Sequence, residues 1–381
     1  MDRLTKDDLM QLIDHEAAWC VSMYMPAFRA GPEVQQNAIR FRNLLRTAAD
    51  HLERLDMRAQ EIAALLEPAY ALRDDPAIWR EAGDGLAVFV APDVLYYYHL
   101  PLHFDEWAVV KPRFYIKPLL PLLSGDGEFY VLALSQKRIR LLEGTRDSVQ
   151  EVPVSGVPES LNAALRLETT ERQQLRAVGG SGQGAVFQGH GESRDTEEKQ
   201  LLRYFQKVDR GLRELLAERT IPLVLAGVER LLPIYREANS YPHLLETGLT
   251  INPDALANRE LHERAWGVVG PRFATTQAEQ VALFEKLSGR SDPRATTSLK
   301  PIVLGAHQGR VATLFVALGV QQWGAYDPDS ITLHVHPERQ PGDQDLLDLA
   351  AAQTFTNGGV VYAVDPAAVP GEAEMAAIMR Y

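Results

Sequence analysis

The sequence predicts a multidomain α/β protein, and three observations lead to that fold class. The chain has 381 residues, a length that corresponds to two or three domains of about 150 residues each. Its composition, 46% hydrophobic and 24% charged, is typical of a globular protein and not of a disordered chain. Short apolar runs alternate with amphipathic segments, which indicates helices packed against sheets.

Composition also excludes several classes of protein. The single cysteine, Cys20, excludes an intrachain disulfide framework and a zinc motif built on cysteine pairs. The net charge of −12 argues against nucleic-acid binding by the whole surface, although it leaves room for one local basic face. The longest apolar runs, such as Gly85–Ala91, are too short to span a membrane, and the charged N-terminus does not resemble a secretory signal. We therefore expect a cytoplasmic protein.

The first third of the chain has the pattern of an α/β domain. Proline marks the end of one strand at Pro26 and the first turn of a long helix at Pro32, and Pro92-Asp93 forms a tight turn between two strands. The expected elements, in order, are a helix over 5–19, a strand over Cys20–Met25, a long helix that carries Ile39 to Leu52, a helix over 58–72, strands over Gly85–Ala91 and Val94–Leu100, and a last strand with an exit linker over Trp107–Leu123.

The middle third contains a glycine-rich loop between strands and a long helix. Residues 177–195 have almost no large apolar side chains, so we expect a solvated loop there. The other expected elements are strands over Phe129–Leu134, Arg138–Leu142 and Val149–Val154, an amphipathic helix over 196–218 and a buried strand over Ile221–Val228.

The last third predicts an α/β sandwich. Gly267, Gly270 and Pro271 are expected to separate two helices. The expected elements are helices over 253–268 and 275–289, helices or helix fragments over Thr297–Leu304 and Gly309–Leu318, strands over Val320–Tyr326 and Thr332–His336, a helix over Asp345–Phe355 and a final strand over Gly359–Val364.

Most catalytic motifs are absent or incomplete. The chain has no Walker A sequence, and residues 180–185 miss the last glycine of a dinucleotide fingerprint. Residues 179–183 lack the final glycine of a nucleophile elbow, so Ser181 is not assigned as a nucleophile. His334 and His336 share one face of a strand without a full set of metal ligands, which favours a polar strand face. His307, at a helix junction, is expected to be a capping or surface histidine. We expect no cofactor and no resident metal.

Tyr96, Tyr97 and Tyr98 follow one another in a predicted strand. Only Tyr96 and Tyr98 share a face, because side chains alternate along a strand. Packing in the core or across strands is favoured over a platform on which bases stack.

The helix over 196–218 is the most informative segment. Leu201, Phe205, Val208, Leu212 and Leu215 form one apolar stripe. Five basic residues lie on the opposite side, and they are Lys199, Arg203, Lys207, Arg210 and Arg213. Two interpretations stay open. The stripe is either a solvated face that also carries Glu197, Glu198 and Glu214, or a surface that contacts a nucleic-acid backbone.

The order of these segments resembles the class I peptide chain release factor / Pelota superfamily of archaea and eukaryotes, and more closely its bacterial homologues. The stretches that carry the resemblance are Val21–Pro26, Gln35–Leu55, Gly85–Val90, Phe129–Leu134, Arg138–Glu143, Gly179–Gly191, 196–218, Leu223–Gly227, Gly319–Tyr326 and Asn357–Val364. The resemblance implies a release-factor-like domain over 1–123, an RNase H-like domain over 124–252, and an α/β sandwich over 253–381 like the kink-turn-binding ribosomal proteins.

The resemblance also implies a site. In release factors, a glutamine after two glycines orients a water molecule at the peptidyl-tRNA ester. Here Gly179-Gly180 is followed by Ser181, so the Gly-Gly-Gln tripeptide is absent. Gln183, between Gly182 and Gly184, is the candidate catalytic residue, and Gln188 is the second choice.

These features predict a ribosome-associated factor of release, rescue or hibernation type that enters the A site. The implied partners are rRNA, the tRNA acceptor end and a translational GTPase. Whether the factor hydrolyses peptidyl-tRNA or only binds stays open. The alternative is a protein on the same fold that binds another RNA or a protein without hydrolysis. A two-metal nuclease ranks last, because no carboxylate set is recognisable on the predicted strands of the middle domain.

Overall fold

The computed structural model describes residues 4–28, 33–80, 83–122, 127–146, 148–154, 156–158, 160–164, 194–217, 219–328, 330–340 and 342–381. The chain divides into two compact units, one formed by residues 1–125 with 275–381 and the other by residues 126–274. Both units contain sheets covered by helices, so the predicted multidomain α/β fold is confirmed. The domain boundaries at 123/124 and 252/253 stay predictions. The first and last thirds of the chain pack together in one unit.

The first sheet of the larger unit is antiparallel, with strand order β3-β2-β1-β4. Its strands are β1 (Glu16–Pro26), β2 (Gly85–Ala91), β3 (Val94–Leu100) and β4 (Trp107–Arg113). The accompanying helices are α1 (Lys6–Asp14), α2 (Val34–Glu53), α3 (Ala59–Asp74) and α4 (Pro76–Arg80).

Strand β1 is buried on both faces, which explains its continuous apolar sequence. Val21, Met23 and Met25 pack in the same cluster as α2 and α3, whereas Cys20 and Tyr24 belong to the core on the other face. Alternating side chains of one strand therefore serve two cores.

The middle unit is built on a five-stranded sheet. Its strands are β5 (Phe129–Leu134), β6 (Ile139–Gly144), β7 (Val149–Val152), β8 (Leu223–Gly227) and β9 (Leu249–Thr250), in the order β7-β6-β5-β8-β9. Only β6 runs opposite to the other four strands.

Helices cover both faces of this sheet. They are α5 (Arg194–Leu216), α6 (Leu231–Ala238) and α7 (Asn258–Ser288), with a short 3-10 turn at Pro253–Ala255. One face packs with α5 and α6, and the other packs with the first part of α7 through Leu261, Ala265 and Val269. Helix α7 continues into the larger unit.

The last third forms the second part of the larger unit. Its helices are α8 (Leu299–His307) and α9 (Leu346–Thr356), with a 3-10 turn at Pro366–Ala368. Its strands are β10 (Ala295–Thr296), β11 (Val311–Ala317), β12 (Trp323–Asp327), β13 (Thr332–His336), β14 (Gln344–Asp345), β15 (Val360–Val364) and β16 (Met375–Met379). The main sheet has the order β10-β16-β11-β15, and β13-β12-β14 form a small second sheet.

Helices lie on both faces of the main sheet of this part. Residues of α8 and α9, such as Ile302 and Leu347, share one core cluster with β11. On the opposite face, Phe284 and Leu287 from the end of α7 pack in a separate cluster with Phe315. The arrangement is the expected α/β sandwich.

Several element predictions were wrong, and each error has a physical cause. The predicted helix over 5–19 ends at Asp14, because the chain enters β1 at Glu16. The two helices expected around Pro271 form one continuous helix, α7. Trp266 and Phe273 stack with their ring centroids 5.8 Å apart across the turn that contains the proline, and this packing supports the helix where one backbone hydrogen bond is lost.

The largest error concerns residues 309–318, where the expected helix is replaced by strand β11 (Val311–Ala317). Leu314 and Val316 face one core, and Phe315 and Ala317 face another. A strand that is buried on both faces has no alternation of polar and apolar residues, so its sequence does not differ from that of a buried helix. Likewise, the strand over Gly359–Val364 is not the last one, because β16 follows it.

The predicted exit linker is a buried connection. Residues Lys117–Leu122 form a 3-10 turn in which Lys117, Leu119 and Leu120 are buried. Leu119 and Leu120 share a core cluster with Leu347 and Ala350 of α9. The segment that was expected to separate two domains therefore joins the two parts of one unit.

A buried ion pair lies at this junction. Lys117 Nζ is 2.6 Å from Asp345 Oδ2, and the two side chains are 2% and 0% exposed. Lys117 Nζ also donates to the Val320 carbonyl oxygen. Asp345 caps α9, because its Oδ1 accepts hydrogen bonds from the backbone N–H groups of Leu347 and Gln322, both at 3.1 Å.

We expect that Lys117→Met lowers the free energy of unfolding by about 3–5 kcal/mol, because Asp345 is left buried without its cation. Urea unfolding measures the change. Lys300→Met, which alters an exposed lysine of the same unit, should change stability by no more than about 0.5 kcal/mol. In an Asp345→Asn background, Lys117→Met should lower the free energy of unfolding by clearly less than it does in the unaltered protein. An equal decrease in both backgrounds would contradict the ion-pair explanation.

Candidate nucleic-acid interface

Helix α5 is strongly amphipathic, and its apolar side is buried. Leu201, Tyr204, Phe205, Val208, Leu212 and Leu216 lie in the core cluster of the middle unit. Phe205 and Tyr235 of α6 meet edge to face with ring centroids 5.5 Å apart. This packing fixes the rotation of the helix, and so it determines which side chains face outward.

The five basic residues lie on the outward side. Lys199, Arg203, Arg210 and Arg213 are exposed, and Lys207 is half-buried. At about 1.5 Å per residue, Lys199 and Arg213 are about 21 Å apart along the axis. A row of cations of this length matches several successive phosphates of a nucleic-acid strand.

Three glutamates accompany the cations of this helix, and one of them is paired. Glu198 and Glu214 are exposed. Glu197 binds Arg230, with Oε1 3.0 Å from Nη1, and it also accepts a hydrogen bond from Gln136 Nε2 at 3.2 Å. Arg230, which directly precedes α6, therefore adds a cation near the first turns of α5 that the sequence analysis missed.

Asp209 holds the other end of α5 against a loop. Its Oδ1 accepts a hydrogen bond from the Ser240 backbone N–H at 2.8 Å, and its Oδ2 accepts one from Ser240 Oγ at 2.7 Å. Arg213 Nη2 lies 3.6 Å from Asp209 Oδ2. Burial, with a smaller effect of the Asp209 carboxylate, raises the pKa of Tyr235 above its usual range. Asp209 thus positions Arg213, and both of its carboxylate oxygens already have partners.

An open cavity of about 490 Å³ adjoins this end of the helix. Arg213, Arg219, Tyr241 and His243 are among its lining residues. Tyr241 and His243 meet edge to face at 5.4 Å, and Tyr241 OH donates to the Ile221 carbonyl oxygen at 2.6 Å. Cations beside aromatic rings suit a nucleotide, whose phosphate and base need these two kinds of contact. Sequence patterns did not indicate this cavity because its walls come from α5 and from a later loop.

The candidate catalytic loop lies outside the described residues. This applies to Gly179, Gly180, Gly182 and Gly184 and to the candidate glutamines, Gln183 and Gln188.

The remaining candidates have local partners. His336 Nδ1 lies 2.9 Å from Asp343 Oδ1, and His334 is exposed on the same strand. Across the part of the chain that the structure describes, no group of three or more metal-ligating side chains occurs.

His307 is exposed and contacts the Tyr326 ring at 5.3 Å. Tyr96 and Tyr98 pack against the larger unit's core, whereas Tyr97 is 43% exposed.

Within the described ranges, no helix is long and apolar enough to cross a membrane.

We expect Asp209→Ala to lower the free energy of unfolding by about 1–3 kcal/mol, because two hydrogen bonds to a carboxylate are lost. Asp209→Asn, which keeps one acceptor oxygen, should cost less. Urea unfolding compares both variants with Glu214→Ala, an exposed carboxylate on the same helix. An Asp209→Ala variant as stable as Glu214→Ala would show that this contact does not hold the helix end.

Comparison with known proteins gives one family match and several distant structural neighbours. Among solved structures, archaeal translation termination factor aRF1 is 13% identical, with 99% of each chain covered and a TM-score of 0.26. A model of ribosome-bound archaeal Pelota and ABCE1 is 14% identical over 100% of this chain and 95% of that one, with a TM-score of 0.37. Dom34 of S. cerevisiae, described as a translation termination-like factor, is 10% identical over 75% and 73%, with a TM-score of 0.36.

No curated protein sequence matches the chain. Residues 129–271 match the family described as Bacterial archaeo-eukaryotic release factor family 7. The match includes the sheet of the middle unit and the basic helix, and over this segment it confirms the predicted resemblance to the bacterial homologues of archaeal and eukaryotic release factors.

Proposed function

We propose that this protein is a cytoplasmic, ribosome-associated factor of release, rescue or hibernation type that binds in the ribosomal A site. The observation that carries the proposal is the basic side of α5, where four exposed cations lie along one helix of an acidic protein. The helix belongs to the segment that matches a release factor family. In this proposal, its cations contact rRNA or acceptor-stem phosphates.

The energetics favour a local electrostatic contact. A chain of net charge −12 is repelled by RNA at long range, so binding requires that the basic side faces the phosphates and the acidic surface faces away. Each phosphate that is neutralised releases a counterion, and the affinity then falls steeply with salt. A translational GTPase is the second partner that we propose, and it would meet a different surface of the chain.

Whether the factor is catalytic depends on the glycine-rich loop. Hydrolysis requires a side chain that orients water at the ester, and Gln183 is the residue proposed for this role. The absence of Gly-Gly-Gln favours binding without hydrolysis. If the factor is hydrolytic, the ribosome would supply the remaining catalysis.

Charge reversal tests the proposed contact. Arg203→Glu with Arg210→Glu should weaken ribosome binding by at least tenfold at low salt, because two phosphate contacts become repulsive. The slope of log K against log salt should become shallower by about 1.4–1.8 units. Sedimentation with purified ribosomal subunits at several salt concentrations measures both quantities.

The matched control is Arg259→Glu with Arg264→Glu, which makes the same charge change on exposed residues of α7 in the same unit. It should bind like the unaltered protein. Equal weakening in both double variants would indicate a general charge effect and would contradict the assigned contact surface. Loss of binding to free RNA with unchanged ribosome binding would instead favour the non-ribosomal RNA-binding alternative.

Gln183→Ala tests catalysis separately from binding. If the protein releases peptide from ribosomes that carry peptidyl-tRNA, the variant should reduce the release rate at least 100-fold while ribosome binding stays unchanged. Gln188→Ala is the control in the same loop and should retain activity. Full activity of Gln183→Ala would remove Gln183 from the mechanism, and transfer of the defect to Gln188→Ala would assign the role to that residue.

A further inference from the structure

A small cavity in the larger unit lies away from the basic helix. Its volume is about 160 Å³, and β4, the residues after β4, α1 and α9 provide its walls. This volume corresponds to about five water molecules. The cavity has charged side chains on one part of its wall and Ile13, Phe114, Leu349 and Ala352 on another.

Lys111 is a buried cation that lines this cavity. Its side chain is 93% buried, since the residue is 7% exposed, and its Nζ has no hydrogen-bond partner among the described residues. The ammonium lies 4.6 Å from the centroid of the Trp323 ring. A cation–π contact orients the group but does not replace an acceptor, and a buried ammonium without an acceptor is costly.

Asp348 faces the same cavity with an unused oxygen. Its Oδ1 accepts hydrogen bonds from the backbone N–H groups of Ile116 at 3.0 Å and Lys117 at 2.6 Å. No described residue donates to Oδ2. Burial and the neighbouring Asp345 raise the pKa of Asp348 to about 7, and burial lowers that of Lys111 to about 8. In both groups burial is the largest cause of the shift, because it disfavours the charged form.

The other charges of the wall are already paired. Asp345 binds Lys117, and Arg113 forms an ion pair with Glu16. Lys111 and Asp348 form no ion pair with each other within the described ranges. One unpaired donor and one unpaired acceptor therefore line a cavity whose wall also includes the apolar residues Ile13, Phe114, Leu349 and Ala352.

We propose that this cavity binds a small free α-amino acid. The carboxylate of the ligand accepts a hydrogen bond from Lys111 Nζ, its ammonium donates to Asp348 Oδ2, and a short apolar side chain contacts Phe114 and Leu349. A zwitterion adds no net charge to the site and satisfies both groups at once. Binding couples β4 to α9, so it stabilises the junction between the first and last thirds of the chain. The inference does not depend on ribosome binding.

An isosteric series on the unaltered, full-length protein tests the proposal. L-Alanine at a concentration ten times its dissociation constant should raise the melting temperature by about 3 °C. Propionate lacks the ammonium group and ethylamine lacks the carboxylate, so each should bind at least tenfold more weakly than alanine. Glycine and L-serine complete the panel, and ligand-observed NMR gives the relative affinities.

Two outcomes of this series overturn the proposal. If no amino acid raises the melting temperature or shows ligand-observed binding, the cavity holds water only. If propionate or ethylamine binds as well as alanine, recognition does not use both Lys111 and Asp348. These measurements need no variant, so they decide the question even if a substituted chain fails to fold.

Variants then locate the site. Lys111→Met keeps the length of the side chain and removes its charge, and Asp348→Asn keeps the acceptor for the two backbone N–H groups. Both should weaken alanine binding at least tenfold. Lys300→Met, the exposed control, should bind alanine like the unaltered protein. Unchanged binding in a folded Lys111→Met variant would place the amino acid elsewhere and overturn the assignment.

Discussion

The ion pair between Lys117 and Asp345 is the interaction on which the larger unit depends. Both side chains are almost completely buried, and each belongs to a different third of the chain. Asp345 also caps α9, so one carboxylate fixes the start of a helix and the path of the segment that follows β4. Because a buried charge without its partner is strongly destabilising, the two thirds separate only at a large cost in free energy.

The same junction creates the small cavity beside it. Residues of β4 and α9 line this cavity, and among them Lys111 and Asp348 form no ion pair with each other. Burial of both groups has a desolvation cost that replacement of both by apolar side chains would remove. An amino acid bound in this cavity would contact both parts of the larger unit, through Lys111 of β4 and Asp348 of α9.

In the middle unit, the two sides of helix α5 have different roles: one packs in the core and the other carries the cations that we propose to contact RNA. One side of α5 supplies the aromatic and aliphatic core that holds it against the sheet, and the opposite side carries the cations. Its rotation is fixed by packing, so the charged side chains need no ordering of the backbone when they bind. Electrostatic contacts that are held in this way lose little conformational entropy on binding.

The sequence by itself determined the elements whose pattern is local. The period of α5 predicted both its buried stripe and its basic side, and turn chemistry at Pro92-Asp93 predicted β2 and β3 with their observed bounds. Tertiary structure alone decided that residues 311–317 form a central strand and that Lys117–Leu122 is buried, because both depend on contacts with distant segments. It also brought Arg219 and His243 beside Arg213, and Lys111 beside Asp348. No periodicity encodes such pairs, since residues far apart in the chain meet only when helices and strands pack.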